Sequence, residues 1–365
     1  MSEVILTPAL TLRLDRFARR IPYSYCRSGV TRKEGSKVMG YNILLAGLLF
    51  CVEFLAYLPL SYAASSAEKV KLGYPAFTGA YAPLWIAVAE GLDRKHGLDL
   101  EAIFSGRTSP GLLLESGAVH YTVQTGFGTV QSHARGSKDH VIIASFANTT
   151  GFSIYSKTQI TKAADLRGKV IGTAIPGDVT NSLATYVLRK RLSLDPGRDV
   201  KIVPLGAPPN VLPALEKGVV DAAMLGTPAR LLARKMGFRE LLDFDELGVL
   251  IPYVGLSTLK ATIKKSPDTA ARLVATLTDA IHVFKTNREK SLLVMKKYLR
   301  GASDEILGET YSYFSTKTQK FPYPSIEAIK TALDMLADEH PQARSVDANE
   351  VTDLSFVKQV EAGSR

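Results

Sequence analysis

The sequence predicts an α/β fold with largely parallel sheets, because strand-like and helix-like segments alternate from Glu68 onward. The chain has 365 residues and is 46% apolar, which allows a sizeable core and favours two domains over one. The strand-to-helix turns carry Gly, Thr or Tyr, and in open α/β sheets ligands bind at such turns. We therefore expect two α/β domains with a ligand site built from these turns.

The first predicted elements lie between residues 70 and 146. A strand opens at Val70 to Leu72, and Pro83 occupies the favourable first position of the helix that follows. Apolar and polar residues then largely alternate from Leu98 to Phe104, which is typical of a second strand. The remaining elements of this part are a helix at 111–116, a strand at 121–125, a helix at 127–135 and a strand at 141–146.

The stretch 164–192 predicts a pocket for a small polar ligand. A short apolar strand at 169–175 stops at Pro176 and Gly177, and helical spacing of apolar residues starts at Val179. Free backbone N–H groups and the positive end of the helix dipole favour an anion or a carbonyl there. Hydrogen-bonding side chains in this turn are Asp178, Thr180, Asn181 and Ser182.

Two interpretations of Asp178 remain open. As an ordinary N-cap it leaves the pocket suited to an anion, with Thr180 and Asn181 as plain first-turn residues. As a ligand contact it reverses the preferred charge.

After residue 155 the alternation restarts, and we interpret 156–252 as a second lobe inserted in a first lobe made of 68–155 and 253–340, with a tail at 341–365. We expect the helices that end the chain to form core and scaffold. The predicted elements are strands at 201–205, 221–225 and 253–257, and helices at 211–216, 228–236, 267–286, 288–299, 303–315 and 325–340.

The N-terminal region has the layout of a secretory signal. Residues 43–60 are almost wholly apolar, basic residues precede them, and small residues follow, so we expect cleavage after Ala63 or Ala64. Residues 1–38 are polar and Arg-rich, and with the signal they form an N-terminal extension, 1–63, outside the folded lobes. The alternative is a retained membrane anchor, although Glu53 near its middle would cost about 3 kcal/mol.

The amino-acid composition argues against several classes of site in this protein. Cys26 and Cys51 both precede the expected cleavage, so the processed chain would have no disulfide, thiolate metal site or cysteine nucleophile. The net charge of +10 is spread without a run of five basic residues, so we expect no nucleic-acid partner. The six histidines show no metal-ligand spacing, and the glycines form neither a Walker nor a GxGxxG pattern. We expect no catalytic residue, no metal and no cofactor.

Five phrases together resemble one family, the periplasmic substrate-binding proteins of ABC importers in the nitrate, sulfonate, taurine and thiamine-precursor group. The match follows the chain in order over nearly all of the expected mature protein. The phrases are YAPLWIAVAEGLDRKHGLDLEAI at 81–103, LLLESGAVHYTV at 112–123, TKAADLRGKVIGTAIPGDVTNSLATYVLRKRL at 161–192, PALEKGVVDAAMLGTPA at 213–229 and TDLSFVKQV at 352–360.

The resemblance implies the type II periplasmic binding fold, in which two α/β lobes joined by two crossover strands close on a ligand in the cleft between them. Its hinges would lie at 153–158 and 250–255. By position, the implied ligand-binding residues are Thr78, Gly79, Tyr81, Thr125, Gly126, Phe127, Gly177, Asp178, Val179, Thr180, Asn181, Thr227 and Pro228.

The implied function is capture without catalysis. A monomeric periplasmic receptor would bind a small organic anion or a polar heterocycle and deliver it to an ABC permease in the membrane. One alternative is a thiamine-pyrimidine synthase of the same fold, but such enzymes carry a cysteine-rich iron motif that the processed chain would lack. A second alternative, a membrane-anchored sensory domain, requires the segment 43–60 to stay uncleaved.

Overall fold

The computed structural model describes residues 67–106 and 108–364. The predicted signal segment 43–60, both cysteines and the cleavage positions at Ala63 and Ala64 lie outside the described residues. Among the helices that are described, none combines the length and the apolar character needed to cross a bilayer.

The predicted two-lobe α/β fold is confirmed, because the strands form two separate five-stranded sheets. The first sheet contains β1 (Glu68–Tyr74), β2 (Leu98–Phe104), β3 (Tyr121–Gln124), β4 (His140–Ala147) and β10 (Val254–Leu259). The second contains β5 (Phe152–Ser156), β6 (Val170–Thr173), β7 (Lys201–Pro204), β8 (Ala222–Gly226) and β9 (Arg239–Asp243). The strand orders are β2-β1-β3-β10-β4 and β7-β6-β8-β5-β9, so both sheets follow the same plan.

In each sheet one inner strand runs against its neighbours. β10 pairs antiparallel with β3 and β4, and β5 pairs antiparallel with β8 and β9. The chain therefore passes between the sheets twice, through residues 148–151 and 244–253, which we call the first and second crossing segments.

The first crossing segment lies just before the hinge predicted at 153–158, and the position of the hinge stays a prediction. Ser153 is paired with Leu225 and Asp243, so it is already held in the second sheet. The hinge position came from the family resemblance, which does not fix the residue at which the chain enters the second sheet. The second predicted hinge, 250–255, overlaps the second crossing segment. The lobe boundaries after residues 155 and 252 stay predictions, although β5 pairs within the second sheet.

Helices cover the sheets at nearly the predicted positions. The long helix at 267–286 has the predicted bounds, whereas α2, α8, α13 and the strand β9 were not predicted. The helices are α1 (Ala82–Ala89), α2 (Leu92–Lys95), α3 (Pro110–Glu115), α4 (Phe127–Ala134), α5 (Val179–Leu192), α6 (Pro208–Glu216), α7 (Ala229–Lys235), α8 (Lys260–Lys265), α9 (Pro267–Thr286), α10 (Arg288–Tyr298), α11 (Asp304–Lys317), α12 (Ile326–Leu336) and α13 (Ser355–Gly363).

The central strand of the second sheet, β8, is buried on both faces. Along β8, Ala222 and Met224 join the main core, whereas Ala223 and Leu225 join a smaller cluster on the opposite face. Such strands read as continuous apolar runs, as expected for sheets with helices on both sides. The helix α12 contacts both α4 and α5, so the C-terminal helices touch elements that follow strands of both sheets.

Candidate functional site

The turn before α5 satisfies most of its own hydrogen-bonding groups. Asp178 is the N-cap, and its Oδ1 accepts hydrogen bonds from the backbone N–H of Thr180 at 2.9 Å and of Asn181 at 3.0 Å. The same oxygen accepts the Thr180 hydroxyl at 2.6 Å, and that hydroxyl accepts the N–H of Ala174 at 3.1 Å. The structure therefore favours the capping interpretation of Asp178. Its carboxylate already takes two of the amides that were expected to cradle an anion.

Two other residues of this turn, Gly177 and Asn181, also contact groups outside the cap. Gly177 has φ +69°, a left-handed conformation that favours glycine, and its carbonyl accepts a hydrogen bond from Gln131 Nε2 of α4 at 3.1 Å. Asn181 is half-buried and reaches Thr173 Oγ1 at 3.5 Å. The contact with Gln131 connects the turn to the helix that follows β3 of the other sheet.

The loops after β1 and β8 meet, although each follows a strand of a different sheet. Thr78 Oγ1 donates a hydrogen bond to the carbonyl of Thr227 at 3.2 Å. The hydroxyl of Thr227 is itself buried and has no hydrogen-bond partner among the described residues. Because buried polar atoms are nearly always satisfied, this hydroxyl is a candidate for a ligand or a water molecule. Pro228 follows it through a cis peptide bond.

Several of the predicted ligand residues are packed against protein instead. A Cβ on Gly79 would lie 2.8 Å from a ring carbon of Phe314, and one on Gly126 would lie 2.8 Å from Pro252. Phe127 and Val179 are only 2% and 9% exposed. These positions explain why small or apolar residues occur there, and their contact with a ligand stays a prediction.

Thr125 and Tyr81 line the boundary between the loops and the second crossing segment. Thr125 Oγ1 donates to the carbonyl of Pro252 at 3.4 Å and accepts the N–H of Phe127 at 3.3 Å. Burial, and the neighbouring Tyr253 phenol, raise the pKa of Tyr81 far above its ordinary value, so Tyr81 stays neutral at any physiological pH.

A charged cluster that sequence reasoning missed connects the two crossing segments. Asp245 of the second segment accepts the N–H of Thr150 at 2.9 Å and of Gly151 at 3.2 Å, both in the first segment. Its Oδ2 accepts the Tyr313 hydroxyl of α11 at 2.7 Å, with Lys317 Nζ at 3.3 Å. One carboxylate therefore holds three segments that are far apart in sequence.

The protonation of Asp245 follows from these contacts. Burial alone would raise the pKa of its carboxyl group. Hydrogen bonds from Thr149, Tyr313 and Thr150, together with the Lys317 ammonium, outweigh burial and hold the pKa well below its ordinary value. The group is therefore charged at neutral pH even though its side chain is only 7% exposed.

Arg230, at the start of α7, is a second buried charge near this cluster. Its Nη2 lies 2.7 Å from Asp243 and 3.0 Å from Glu240, and its guanidinium stands 5.2 Å from the centre of the Tyr313 ring. Its Nη1 is buried without a hydrogen-bond partner in the described part of the chain. Neither Arg230 nor Asp245 lies in a recognisable motif, so only their burial and long-range partners reveal them.

A cavity of about 1070 Å³ lies beside the Thr78–Thr227 contact. One wall is Tyr74 and Phe77, at and just after the end of β1, and the opposite wall is Pro228 and Leu232 of the β8–α7 region. The end of α10 and the turn that follows it, residues 297–303, line the remaining side. Of the predicted site residues only Pro228 lines this cavity, and the C-terminal helices, expected to be scaffold alone, contribute to its wall.

No group of three or more histidine, cysteine, aspartate or glutamate side chains suited to a metal ion occurs among residues 67–106 and 108–364. Hydroxyl groups and backbone carbonyls from loops of two sheets meet beside a cavity lined by aromatic residues.

A curated sequence relative matches part of the chain. The putative binding protein YtlA of Bacillus subtilis is 26% identical over 210 residues, which are 56% of this chain and 62% of that protein, so the match spans less than two thirds of this relative.

Solved structures match over more of the chain. The periplasmic aliphatic sulphonate binding protein SsuA of Escherichia coli is 18% identical, with a TM-score of 0.66 over 78% of this chain and 91% of its own. The periplasmic nitrate-binding protein NrtA of Synechocystis is 15% identical, with a TM-score of 0.66 over 81% and 89%. The desulfurization enzyme DSZB is 16% identical, with a TM-score of 0.63 over 82% and 100%.

At these identities the solved structures establish the periplasmic binding protein fold, which both binding proteins and an enzyme adopt. The family is established separately, by a sequence model that matches residues 78–291, more than half of the chain. The chain belongs to the NMT1/THI5-like family.

Proposed function

We propose that this protein is an extracytoplasmic solute-binding receptor that captures a small organic anion or a polar heterocycle and delivers it to an ABC permease. The observation that carries the proposal is the contact between Thr78 and Thr227, which joins strand-end loops of two different sheets beside a large cavity. A ligand in that position touches both lobes at once and so stabilises their closed arrangement.

The crossing segments 148–151 and 244–253 are the proposed hinge. They are the two covalent links between the sheets, and Asp245 ties them together at one point. A tie at the hinge keeps the two segments in register while the lobes separate and close at the far side.

From the predicted set we retain as ligand contacts the residues whose polar groups are not fully used by the protein. They are the Thr78 and Thr227 hydroxyl groups, the Gly177 and Asn181 edge of the turn before α5, and Pro228 beside the cavity. We propose a positioning role for Asp178, Thr180 and Thr125, because their polar side-chain atoms already bond to protein groups.

The proposed location is the periplasm, with the signal removed near Ala63 or Ala64 and the receptor acting as a monomer. Support comes from the two solved relatives that are named as periplasmic binding proteins. N-terminal sequencing of protein from the cell envelope tests the cleavage, and a mature chain that retains 43–60 would favour the membrane-anchored alternative.

A thermal-shift screen of the full chain against sulfonates, carboxylates, nitrate and pyrimidines tests the function. A ligand at about 100 times its Kd stabilises the folded state by about 2.7 kcal/mol, which gives a clear rise in Tm. Stabilisation by none of these classes would contradict the proposal, and chemical conversion of a bound ligand would favour an enzyme of this fold.

The site is tested with Thr78→Val, which removes the hydroxyl that reaches Thr227 while keeping the side-chain shape. We expect weaker binding of the ligand found in the screen. Thr316→Val is the matched control, because Thr316 is exposed on α11 and its hydroxyl bonds only to Ser312 of the same helix. Equal affinities of both variants and the wild type would move the site away from Thr78.

A further inference from the structure

Three aromatic side chains line the cavity, Tyr74, Phe77 and Tyr298, and the rings of Trp85 and Phe104 pack against them. Trp85 stacks on Tyr298 with ring centres 4.4 Å apart and an angle of 1° between the planes, and Phe77 lies 4.5 Å from Phe104. Tyr74 meets both pairs edge-on or tilted, at 6.3 Å from Trp85 and 5.8 Å from Phe77. The rings support one another, so the wall keeps its shape without a ligand.

Part of this wall is uncovered. Phe77 is 47% exposed, as is Phe104 packed beside it, and Leu232 on the opposite wall is 40% exposed. Large apolar side chains around a cavity that faces solvent commonly mark a surface that binds something apolar.

The charged side chains that line the cavity are all positive. Lys297 and Arg300 are its only charged lining residues, and both are exposed and without an ion pair among the described residues. The neighbouring Lys296 differs, because its ammonium lies 2.7 Å from Asp304. Two unpaired cations and no carboxylate favour an anionic ligand group at the rim.

We propose that this cavity binds an aromatic anion, an aryl sulfonate or aryl carboxylate whose ring lies against Phe77 and Tyr298 while its charged group faces Lys297 and Arg300. This inference rests on the proposed receptor function and narrows its ligand class. It also assigns binding to the turn between α10 and α11, which no sequence motif marked.

The Tyr74 hydroxyl adds a hydrogen-bond donor to the proposed site. Burial, and the neighbouring Tyr298 phenol, raise the pKa of Tyr74, so its hydroxyl stays a neutral donor at neutral pH. Because the turn before α5 is closed by Asp178, the positive rim offers the anion a more accessible partner than the helix end that the sequence suggested.

The test compares three probes on the full chain by calorimetry: benzenesulfonate, methanesulfonate and phenol. We expect benzenesulfonate to bind at least about tenfold more tightly than methanesulfonate, which has the same head without the ring. It should also bind more tightly than phenol, which has a ring but no charge at neutral pH. Fluorescence of Trp85, the single tryptophan, should change with benzenesulfonate because the indole stacks on a ring of the cavity wall.

Two variants separate the ring from the charge. Phe77→Ala should remove most of the preference for benzenesulfonate while methanesulfonate binding is unchanged, and Leu293→Ala, at an exposed apolar residue outside the cavity lining, should alter neither. The double variant Lys297→Gln, Arg300→Gln should weaken both sulfonates by about fivefold, whereas Lys296→Gln should not.

The outcomes distinguish this inference from the proposed function. If methanesulfonate binds as tightly as benzenesulfonate and Phe77→Ala changes neither, the aromatic site is refuted and the receptor function stands. Phenol binding as tightly as benzenesulfonate refutes the anionic part. If neither these probes nor any compound of the thermal-shift screen binds, the receptor function fails and this inference fails with it.

Discussion

Asp178 and Asp245 are two carboxylates that each collect several hydroxyl and amide donors, but at very different sequence separations. Asp178 takes donors from the next turn of its own helix, two and three residues away. Asp245 takes donors from a segment about 95 residues earlier and from α11, 68 residues later. The same hydrogen-bond chemistry can close one turn or connect segments that are far apart in sequence. Which of the two occurs depends on where the fold places the donors.

The largest expected effect is that of Asp245→Ala. The substitution leaves the buried Thr149 and Thr150 hydroxyls without their acceptor and Lys317 without its partner. We expect a loss of about 3 kcal/mol in the free energy of unfolding, measured by urea denaturation of the full chain. A loss no larger than that of Asp178→Ala would show that the long-range contacts of Asp245 carry no additional stability.

The stability difference between the wild type and Asp245→Ala should depend on pH. The pKa of Asp245 is lower in the folded chain than in the unfolded one, so its contribution to stability is present above about pH 4 and is lost as pH falls through the folded pKa. The stability gap between wild type and Asp245→Ala should therefore be constant from pH 7 to 5 and shrink below pH 4. Urea midpoints across this range measure it, and a gap that widens in acid would contradict the assigned direction of the shift.

Tyr313→Phe tests one contact of the cluster alone. It removes the hydroxyl that donates to Asp245 at 2.7 Å and keeps the ring beneath Arg230. We expect a loss of about 1.5 kcal/mol, as for a buried hydrogen bond to a charged group. Tyr186→Phe is the control, because that half-buried side chain lies on α5, away from the crossing segments. Equal losses would mean that the hydroxyl of Tyr313 contributes nothing specific.

Asp178→Ala should have the smallest effect of the three substitutions. Loss of an N-cap side chain costs about 1 kcal/mol, and the two freed amides become available to solvent or to an anion. We expect lower stability with unchanged affinity for benzenesulfonate, measured by calorimetry. A large drop in affinity instead would return this turn to the ligand site.

Local chemistry explains what the sequence could predict. The helix over 267–286 and the turn at 176–181 follow from Pro at a helix start, apolar spacing and a capping aspartate, all within a few residues. The lobe plan followed from the alternation of strands and helices together with the family resemblance.

Long-range chemistry explains what was missed. Nothing near Asp245 or Arg230 in the sequence signals a buried charge, because their partners lie on other elements. The role of Tyr298 depends on a ring 213 positions earlier, and it reads locally as an ordinary residue at a helix end. The predicted site consists of turns that are rich in hydrogen-bond donors. In the turn at Asp178, however, the donors bond to the Asp178 carboxylate and not to a ligand.

The position of β10 between β3 and β4 has a consequence for the order of assembly. Every strand of the second sheet lies within residues 152–243, whereas the first sheet lacks its inner strand until residues 254–259 have been made. As the chain emerges from the ribosome or a translocon, the lobe that begins later is the first to have all of its strands. A stall before residue 254 would leave β3 with an open edge and β4 without its partner strand, a species prone to pairing with other chains.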